Sequence, residues 1–218
     1  MKLKNNKERK IIFLDIDGVL QPSSSQERFN HINMRFDKDP SIVPEFILHL
    51  QKKHEIDFTK YKDYDVAAVY YDWNKISVVL LRLLLKVTGA KIVLSSDWRL
   101  RGFQRMKDFF TIHGLETYYI DNTKNYDDID KKFIEKLKQN HKDKHGKNAY
   151  LEHRSIEILE WLHRNPDVKK WVAIDDLNLN GIESNFVLTE SYCFLENDAV
   201  KCFKILNKIN KNLLLLSL

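Results

Sequence analysis

The segment KIIFLDIDG, residues 10–18, decides how the rest of the chain is interpreted. Residues 10–14 are a short and mostly apolar run, which predicts a strand buried on both faces. Asp15 and Asp17 follow this run at once, and Gly18 lets the backbone turn sharply after them. Because two neighbouring carboxylates repel each other, they favour a bound cation or a shared proton. The segment therefore predicts polar chemistry at the end of a buried first strand.

Two later apolar runs, residues 91–94 and 171–174, end in the same way. The polar residues that follow these two runs are Ser95, Ser96, Asp97, Asp175 and Asp176. Short strands alternate here with longer amphipathic segments, an order typical of βα units around a parallel sheet. In such sheets ligands bind beyond the carboxyl ends of the strands. We therefore predict one α/β domain over residues 1–218, with a Rossmann-like parallel sheet between layers of helices.

The periodicity and capping residues predict several helices and one further strand. The strongest helix begins after Asn74 and ends at Gly89, with apolar residues at three- and four-residue spacing. Further predicted helices cover residues 44–50, 103–113, 129–138, 154–163 and 200–213. A strand is expected at residues 117–120, and an extended segment at residues 65–71.

Two polar stretches interrupt the alternating pattern and are expected to be inserts. Residues 22–73 follow the first strand as an insert or small cap, and residues 122–148 form a Lys-rich loop insert. Neither is large enough for a substantial globular cap domain. We therefore expect a site that stays open to bulky substrates.

Composition excludes several classes of protein. Hydrophobic residues make up 43% of the chain, so a disordered polymer is excluded, and the net charge of +5 suits an anionic partner. The two cysteines are expected to be reduced thiols. No apolar run reaches the length of a transmembrane helix, and residues 11–14 are too short for a signal-peptide core. A cytoplasmic location is therefore expected.

The residues at the strand ends suit phosphate chemistry. Asp175 and Asp176 would add oxygen ligands to those of the first strand end, and an open, oxygen-rich site suits Mg²⁺. A magnesium ion in turn indicates phosphoryl transfer, because the metal neutralises charge on the transferred group. The Ser95 hydroxyl can hold a phosphate oxygen. The expected opposing cation is Arg154, which opens a helix, with Lys147 as the alternative.

These motifs resemble the haloacid dehalogenase (HAD) superfamily of phosphotransferases. The resemblance rests on FLDIDGV at residues 13–19, the strand ending in Ser95, the basic residue Arg154 and VAIDD at residues 172–176. Two segments are similar to the HAD domains of Swiss Army Knife RNA repair proteins. They are IVLSSDWR, which begins at residue 92, and RSIEILEWL, which begins at residue 154. The resemblance covers about residues 10–194 and implies a HAD-like core.

The resemblance also implies roles for individual residues. Asp15 would be the nucleophile that forms an aspartyl-phosphate, and Asp17 the general acid and base. Mg²⁺ would lie between the Asp15 carboxylate, the Asp17 backbone carbonyl and Asp175. The complete implied metal set is Asp15, Asp17, Asp175 and Asp176, and the implied phosphate-binding set is Ser95, Ser96 and Arg154.

The function expected from the sequence is a Mg²⁺-dependent phosphomonoesterase with a phosphorylated, macromolecular substrate. A phosphoprotein is favoured, and phosphotyrosine is considered because residues 61–73 are rich in Tyr and Trp. An RNA or other nucleic-acid end is the alternative that the family name suggests, although no aromatic residue lies between Phe133 and Tyr150. A different class is a catalytically idle module that binds phosphorylated ligands.

Overall fold

A five-stranded parallel sheet forms the centre of the protein. The computed structural model describes residues 8–24, 26–31, 43–190 and 193–207. The strands are β1 Lys10–Leu14, β2 Lys91–Leu94, β3 Tyr119–Asn122, β4 Lys170–Asp175 and β5 Phe186–Leu188. They run in the order β3-β2-β1-β4-β5, and every neighbouring pair is parallel. The predicted Rossmann-like α/β fold is confirmed.

Helices connect the strands. Those of the described residues are α1 Arg28–His31, α2 Glu45–His54, α3 Asp63–Ala67, α4 Lys75–Thr88, α5 Phe103–Ile112, α6 Lys131–His145, α7 His153–Arg164 and α8 Glu196–Asn207. A single π-helical turn, Ala68–Asp72, continues α3, and short 3-10 turns lie at Asp97–Arg101, Tyr126–Asp128 and Glu183–Asn185.

The central strand β1 divides the core into two layers. Its side chains alternate between the faces of the sheet, as the two-residue period of a strand requires. Ile12 and Leu14 pack with α4, α5 and α8, whereas Ile11 and Phe13 pack with α7 on the other face. Phe13 meets the Trp161 ring edge-on, with 5.4 Å between ring centroids. Because helices cover both faces of β1, the last four residues of this strand are all apolar.

The helix α4 forms where its sequence pattern predicts. The Asn74 side chain accepts hydrogen bonds from the backbone N–H groups of Ile76 and Ser77, at 2.9 and 3.0 Å. These bonds satisfy two of the amides that a helix leaves without partners at its start. Gly89 ends the helix with φ of +70°, a conformation that costs glycine little.

Other expectations differ from the structure. Residues 65–71 are helical rather than extended. The consecutive residues 65–69 are all buried, so no alternation of a half-buried strand is present and the segment packs into the core as a helix. The strand β3 begins two residues later than predicted. The three-residue strand β5 was not predicted at all, since three residues are too few to show a period.

The Lys-rich stretch of residues 122–148 is not a loop throughout. Most of it is α6, which is longer than the predicted helix of residues 129–138. The Asp130 side chain caps α6 by accepting from the backbone N–H of Lys132, and Ile134 packs into a small core cluster. The division of the chain into a core and two inserts stays a prediction. The predicted end of the last helix, beyond residue 207, lies outside the described residues.

The burial of α4 gives a matched test of the core. Leu81 is completely buried, whereas Leu83 on the same helix is 55% exposed. We expect Leu81→Ala to lower the free energy of unfolding by about 2–5 kcal/mol, because it removes buried methyl groups and leaves a cavity. The same replacement at Leu83 should change it by less than about 1 kcal/mol. Urea denaturation measures both, and equal effects would contradict the packing described here.

Candidate active site

The register of the three central strands brings their carboxyl ends together. Leu14 of β1 pairs with Leu94 of β2 and with Ile174 of β4, so the residue after each lies at the same edge. Hydrogen bonds fix this alignment. The backbone N–H of Asp15 donates to the Ile174 carbonyl at 3.0 Å, and that of Ser95 donates to the Leu14 carbonyl at 2.9 Å.

Three carboxylates form an acidic group at this edge. Asp15, Asp175 and Asp176 each offer one oxygen, and the three oxygens lie within 4.8 Å of one another. Asp15 and Asp175 are buried and Asp176 is exposed. Gly18 lies against this group with φ of +69°, and an added Cβ would come within 2.2 Å of Asp176 Oδ2. Only glycine fits there without moving Asp176.

Arg154, in the first turn of α7, neutralises part of this charge. Its Nη1 lies 2.9 Å from Asp175 Oδ2 and 3.3 Å from Asp15 Oδ2. Burial acts to lower the pKa of Arg154, but Asp175 and Asp15 more than offset it and hold the pKa above its usual value. Lys147, the alternative cation, lies in an exposed turn after α6 and makes no ion pair with a described acid. Of the two, Arg154 is therefore the cation that the fold brings to the acids.

The burial of two carboxylates side by side shifts their proton affinity. Burial and the nearby charge of Asp175 raise the pKa of Asp15 to about 7, although Arg154 and a hydrogen bond from Ser96 act in the opposite direction. Burial likewise raises the pKa of Asp175, against the effect of Arg154. Arg154 neutralises these two buried acids only in part. A further positive charge beside them would therefore be stabilising.

The two serines after β2 have different surroundings. Ser96 hydrogen-bonds the Asp15 carboxylate, and its hydroxyl oxygen also accepts from the backbone N–H of Trp98 at 3.4 Å. The Ser95 hydroxyl is buried and has no hydrogen-bond partner among the described residues. A buried hydroxyl without a partner is costly unless a ligand satisfies it.

Asp17 lies apart from the acidic group. Its Oδ1 accepts a hydrogen bond from Gln21 Nε2 at 2.9 Å, and its Oδ2 accepts one from the indole N–H of Trp98 at 3.0 Å. Protein atoms that displace water raise the pKa of Asp17, while the Trp98 hydrogen bond acts to lower it. Its carboxylate is not in the acidic group, so the expectation that Asp17 contributes to a metal site stays a prediction.

Sequence analysis did not single out Gln21 or Thr189. The Thr189 hydroxyl donates to the Gly18 carbonyl at 2.9 Å, and its backbone N–H donates to the Asp175 carbonyl at 3.0 Å. Thr189 thereby links the loop after β1 to the end of β4. It follows the unpredicted strand β5, and no local pattern marks it. Gln21 directly precedes the predicted insert of residues 22–73, and its four-residue spacing from Asp17 is the local signal that could have suggested the contact.

Arg99 holds the end of β2 in place through hydrogen bonds. Its buried guanidinium donates to Glu157 at 2.9 Å, to Asn125 at 2.6 Å and to the Ser95 carbonyl at 3.3 Å. These bonds join β2, the loop after β3 and α7. Arg99 is therefore occupied by protein groups and positions Ser95 within the fold.

The donor set of the acidic group fits a hard divalent cation. All three candidate ligand atoms are carboxylate oxygens, which Mg²⁺ prefers over nitrogen or sulfur. One acid is exposed, so water or a substrate oxygen can complete the coordination. Repulsion from neighbouring carboxylates causes part of the raised pKa values of Asp15 and Asp175. A bound cation would offset that repulsion.

Comparison with known proteins supports this interpretation. A family model described as the HAD domain in Swiss Army Knife RNA repair proteins matches residues 11–200, which include every site residue discussed above. No curated protein and no solved structure matches the chain. None of the described helices is long and apolar enough to cross a membrane.

The raised pKa of Asp15 predicts a pH-dependent stability. The folded protein holds the Asp15 proton more tightly than the unfolded chain does, so protonation favours folding. This stabilisation is complete below pH 3.8 and is lost as the pH rises to about 7. In a chelator, the stability of wild type should therefore fall relative to Asp15→Asn across this window, by on the order of 1.4 kcal/mol per pH unit.

Urea denaturation at several pH values measures the difference between the two proteins. Adding Mg²⁺ should flatten the difference, because a cation favours the ionised carboxylate. A difference that stays constant from pH 4 to 7 in the chelator would contradict the electrostatic description of Asp15.

Proposed function

The chain belongs to the family of HAD domains in Swiss Army Knife RNA repair proteins, and on that premise we propose that it is a divalent-metal-dependent phosphatase. One observation carries the proposal. Asp15, Asp175 and Asp176 lie within 4.8 Å of one another. Arg154 joins two of them, and the buried Ser95 hydroxyl has no described partner. A phosphoryl group is a ligand that could satisfy Arg154, Ser95 and a bound cation together.

Asp15 is the proposed nucleophile. One of its carboxylate oxygens attacks phosphorus, the bond to the leaving oxygen breaks, and an aspartyl-phosphate forms. Water then attacks the phosphorus of that acyl phosphate, which breaks the bond between phosphorus and the carboxylate oxygen, releases phosphate and restores the carboxylate. The ionised form is the reactive one, and both Arg154 and Ser96 favour it. A Mg²⁺ ion held by Asp15, Asp175 and Asp176 would neutralise negative charge on the phosphoryl oxygens.

Asp17 is the proposed general acid and base. As an acid it protonates the leaving oxygen, and as a base it takes a proton from the attacking water. Each oxygen of Asp17 accepts one hydrogen bond, Oδ2 from the indole N–H of Trp98 and Oδ1 from Gln21 Nε2. Because an indole N–H and an amide N–H can only donate, both bonds favour the ionised form that acts as the base. Displacement of water by protein atoms raises the pKa of Asp17, which favours the acid form more than full solvation would.

The proposed substrate class is a phosphorylated nucleic-acid end. The description of the family concerns RNA repair. Near Asp17, the guanidinium of Arg101 lies over the Trp98 ring at 4.1 Å and also contributes to the electrostatic field at Asp17. A leaving group with a further phosphate would find a cation there, although Arg101 also contacts Asp65 at 3.2 Å. The phosphoprotein expected from the sequence is the alternative that an assay must separate.

Phosphate release should distinguish these substrates. We expect Mg²⁺-dependent release from oligonucleotides with a 3′- or 5′-phosphate, and slower release from phosphoserine and phosphotyrosine peptides. Asp15→Asn should abolish release, because a neutral amide cannot form the acyl phosphate, while its circular dichroism stays that of wild type. Faster release from the peptides would restore the phosphoprotein hypothesis. A folded, Mg²⁺-binding protein that releases no phosphate from any of them would instead support the idle binding module.

Removal of the Ser95 hydroxyl tests the phosphate site separately. We expect Ser95→Ala to lower kcat/KM by roughly 10- to 100-fold, the range for losing one hydrogen bond to a charged group. The matched control is Ser77→Ala, which removes a buried hydroxyl that donates to the Phe194 carbonyl at 2.8 Å. The control should lower the melting temperature and leave kcat/KM unchanged. Equal kinetics for the two variants would remove Ser95 from the proposed site.

A further inference from the structure

A groove of about 620 Å³ lies on the helical layer that contains α4 and α5, among residues that the acidic group does not use. It is bounded by the last turn of α2, the first half of α4 and the segment after α5. Its polar and charged lining includes Lys53, His54, Lys75, Arg82, His113 and Glu116. A volume of this size falls in the range of small-ligand sites.

The three cations of the groove are not neutralised by described residues. Lys53, Lys75 and Arg82 are exposed, and none of them makes an ion pair or hydrogen bond within the described part of the chain. Arg82 reaches across from α4, so that its Nη1 would lie 3.8 Å from a Cβ built on Gly114. Three unpaired cations along one groove provide an attractive field for phosphate oxygens.

Two further residues that line the groove each have a buried side-chain atom without a partner. The atoms are Nε2 of His54 and Oε2 of Glu116, and neither forms a hydrogen bond to a described residue. Burial and the charge of Lys53 lower the pKa of His54, whereas Glu116 acts to raise it. Unsatisfied buried polar atoms are uncommon in folded proteins, and a bound ligand is one explanation for them.

His113 adds a neutral ring to the floor of the groove. Its Nε2 lies 2.9 Å from the Val69 carbonyl, and because a carbonyl only accepts, Nε2 is the nitrogen that bears the proton. Burial lowers the pKa of His113 to about 4, with Lys53, His54 and Arg82 acting in the same direction. The ring stacks on Trp73 with 5.1 Å between centroids. His113 therefore contributes no charge near pH 7, and the groove's positive field comes from Lys53, Lys75 and Arg82.

We propose that this groove binds a nucleotide, with Lys53, Lys75 and Arg82 on the phosphates and His54 and Glu116 on sugar or base groups. The three cations by themselves would bind any anion. The Glu116 carboxylate repels phosphate but accepts hydrogen bonds from hydroxyl and amino groups, which a nucleoside carries and inorganic phosphate lacks. The proposal is independent of the proposed phosphatase activity, because no residue of the groove belongs to the acidic group.

Binding measurements in a chelator test the groove without turnover. The probes are ADP, inorganic pyrophosphate and a single-stranded oligonucleotide with hydroxyl groups at both ends, each titrated by calorimetry. ADP should bind more tightly than pyrophosphate. The exposed double variant Lys75→Ala with Arg82→Ala should weaken binding of ADP by about tenfold or more. Glu116→Ala should weaken the binding of ADP and should not weaken the binding of pyrophosphate. Lys86→Ala, an exposed α4 residue outside the groove, is the matched control and should change neither.

The two sources of a nucleotide give different results. Tight binding of ADP that the double variant weakens supports a site for a free nucleotide. Binding of the oligonucleotide alone, weakened by the same variant, supports a site for a nucleotide within a strand. Equal affinity for ADP and pyrophosphate, or affinity that the double variant leaves unchanged, would overturn the proposal. Each variant should hydrolyse a small aryl phosphate at the wild-type rate, so failure of the phosphatase assay and failure of the groove are separable.

Discussion

The contact between two buried carboxylates and one guanidinium is the interaction on which the site depends. Parallel pairing of β1 with β4 forces Asp15 and Asp175 to the same edge, where burial makes their repulsion costly. Arg154 reduces this cost by lying within 3.3 Å of both. Arg154 lies in the first turn of α7, so this contact also joins that helix to the strand ends of the sheet.

The acidic group and the serines beside it were predictable because these residues follow strong local patterns. Apolar runs located β1, β2 and β4, and the polar residues after each run met at one edge as parallel pairing requires. Residues 65–71 are helical although their aromatic and β-branched side chains favour a strand, because tertiary packing overrides this local preference. Thr189 and Gln21 were not predictable in the same way, since each acts through a contact made only in the folded chain.

The surroundings of the site separate rigid from accessible parts. Arg99, Glu157 and Asn125 hold the end of β2 with buried, charge-assisted hydrogen bonds, so the serine backbone is fixed before any ligand arrives. Asp176 and Asp17, by contrast, are exposed, and the buried side chains of Trp98 and Gln21 donate hydrogen bonds to the Asp17 carboxylate. Rigid serines beside accessible acids suit a reaction in which the phosphoryl group is held still while its leaving group varies.

The close approach of Gly18 to Asp176 has a consequence for the order of assembly. The loop after β1 is synthesised well before its partner acid, which lies after β2, β3 and the helices α1–α7. The nascent chain therefore carries Asp15 long before Asp175 and Asp176 can lie beside it. The site becomes complete only when β4 inserts next to β1, a long-range pairing with a high entropic cost. A ribosome-bound fragment that ends before residue 170 is consequently expected to be chemically silent, however well its first strands are paired.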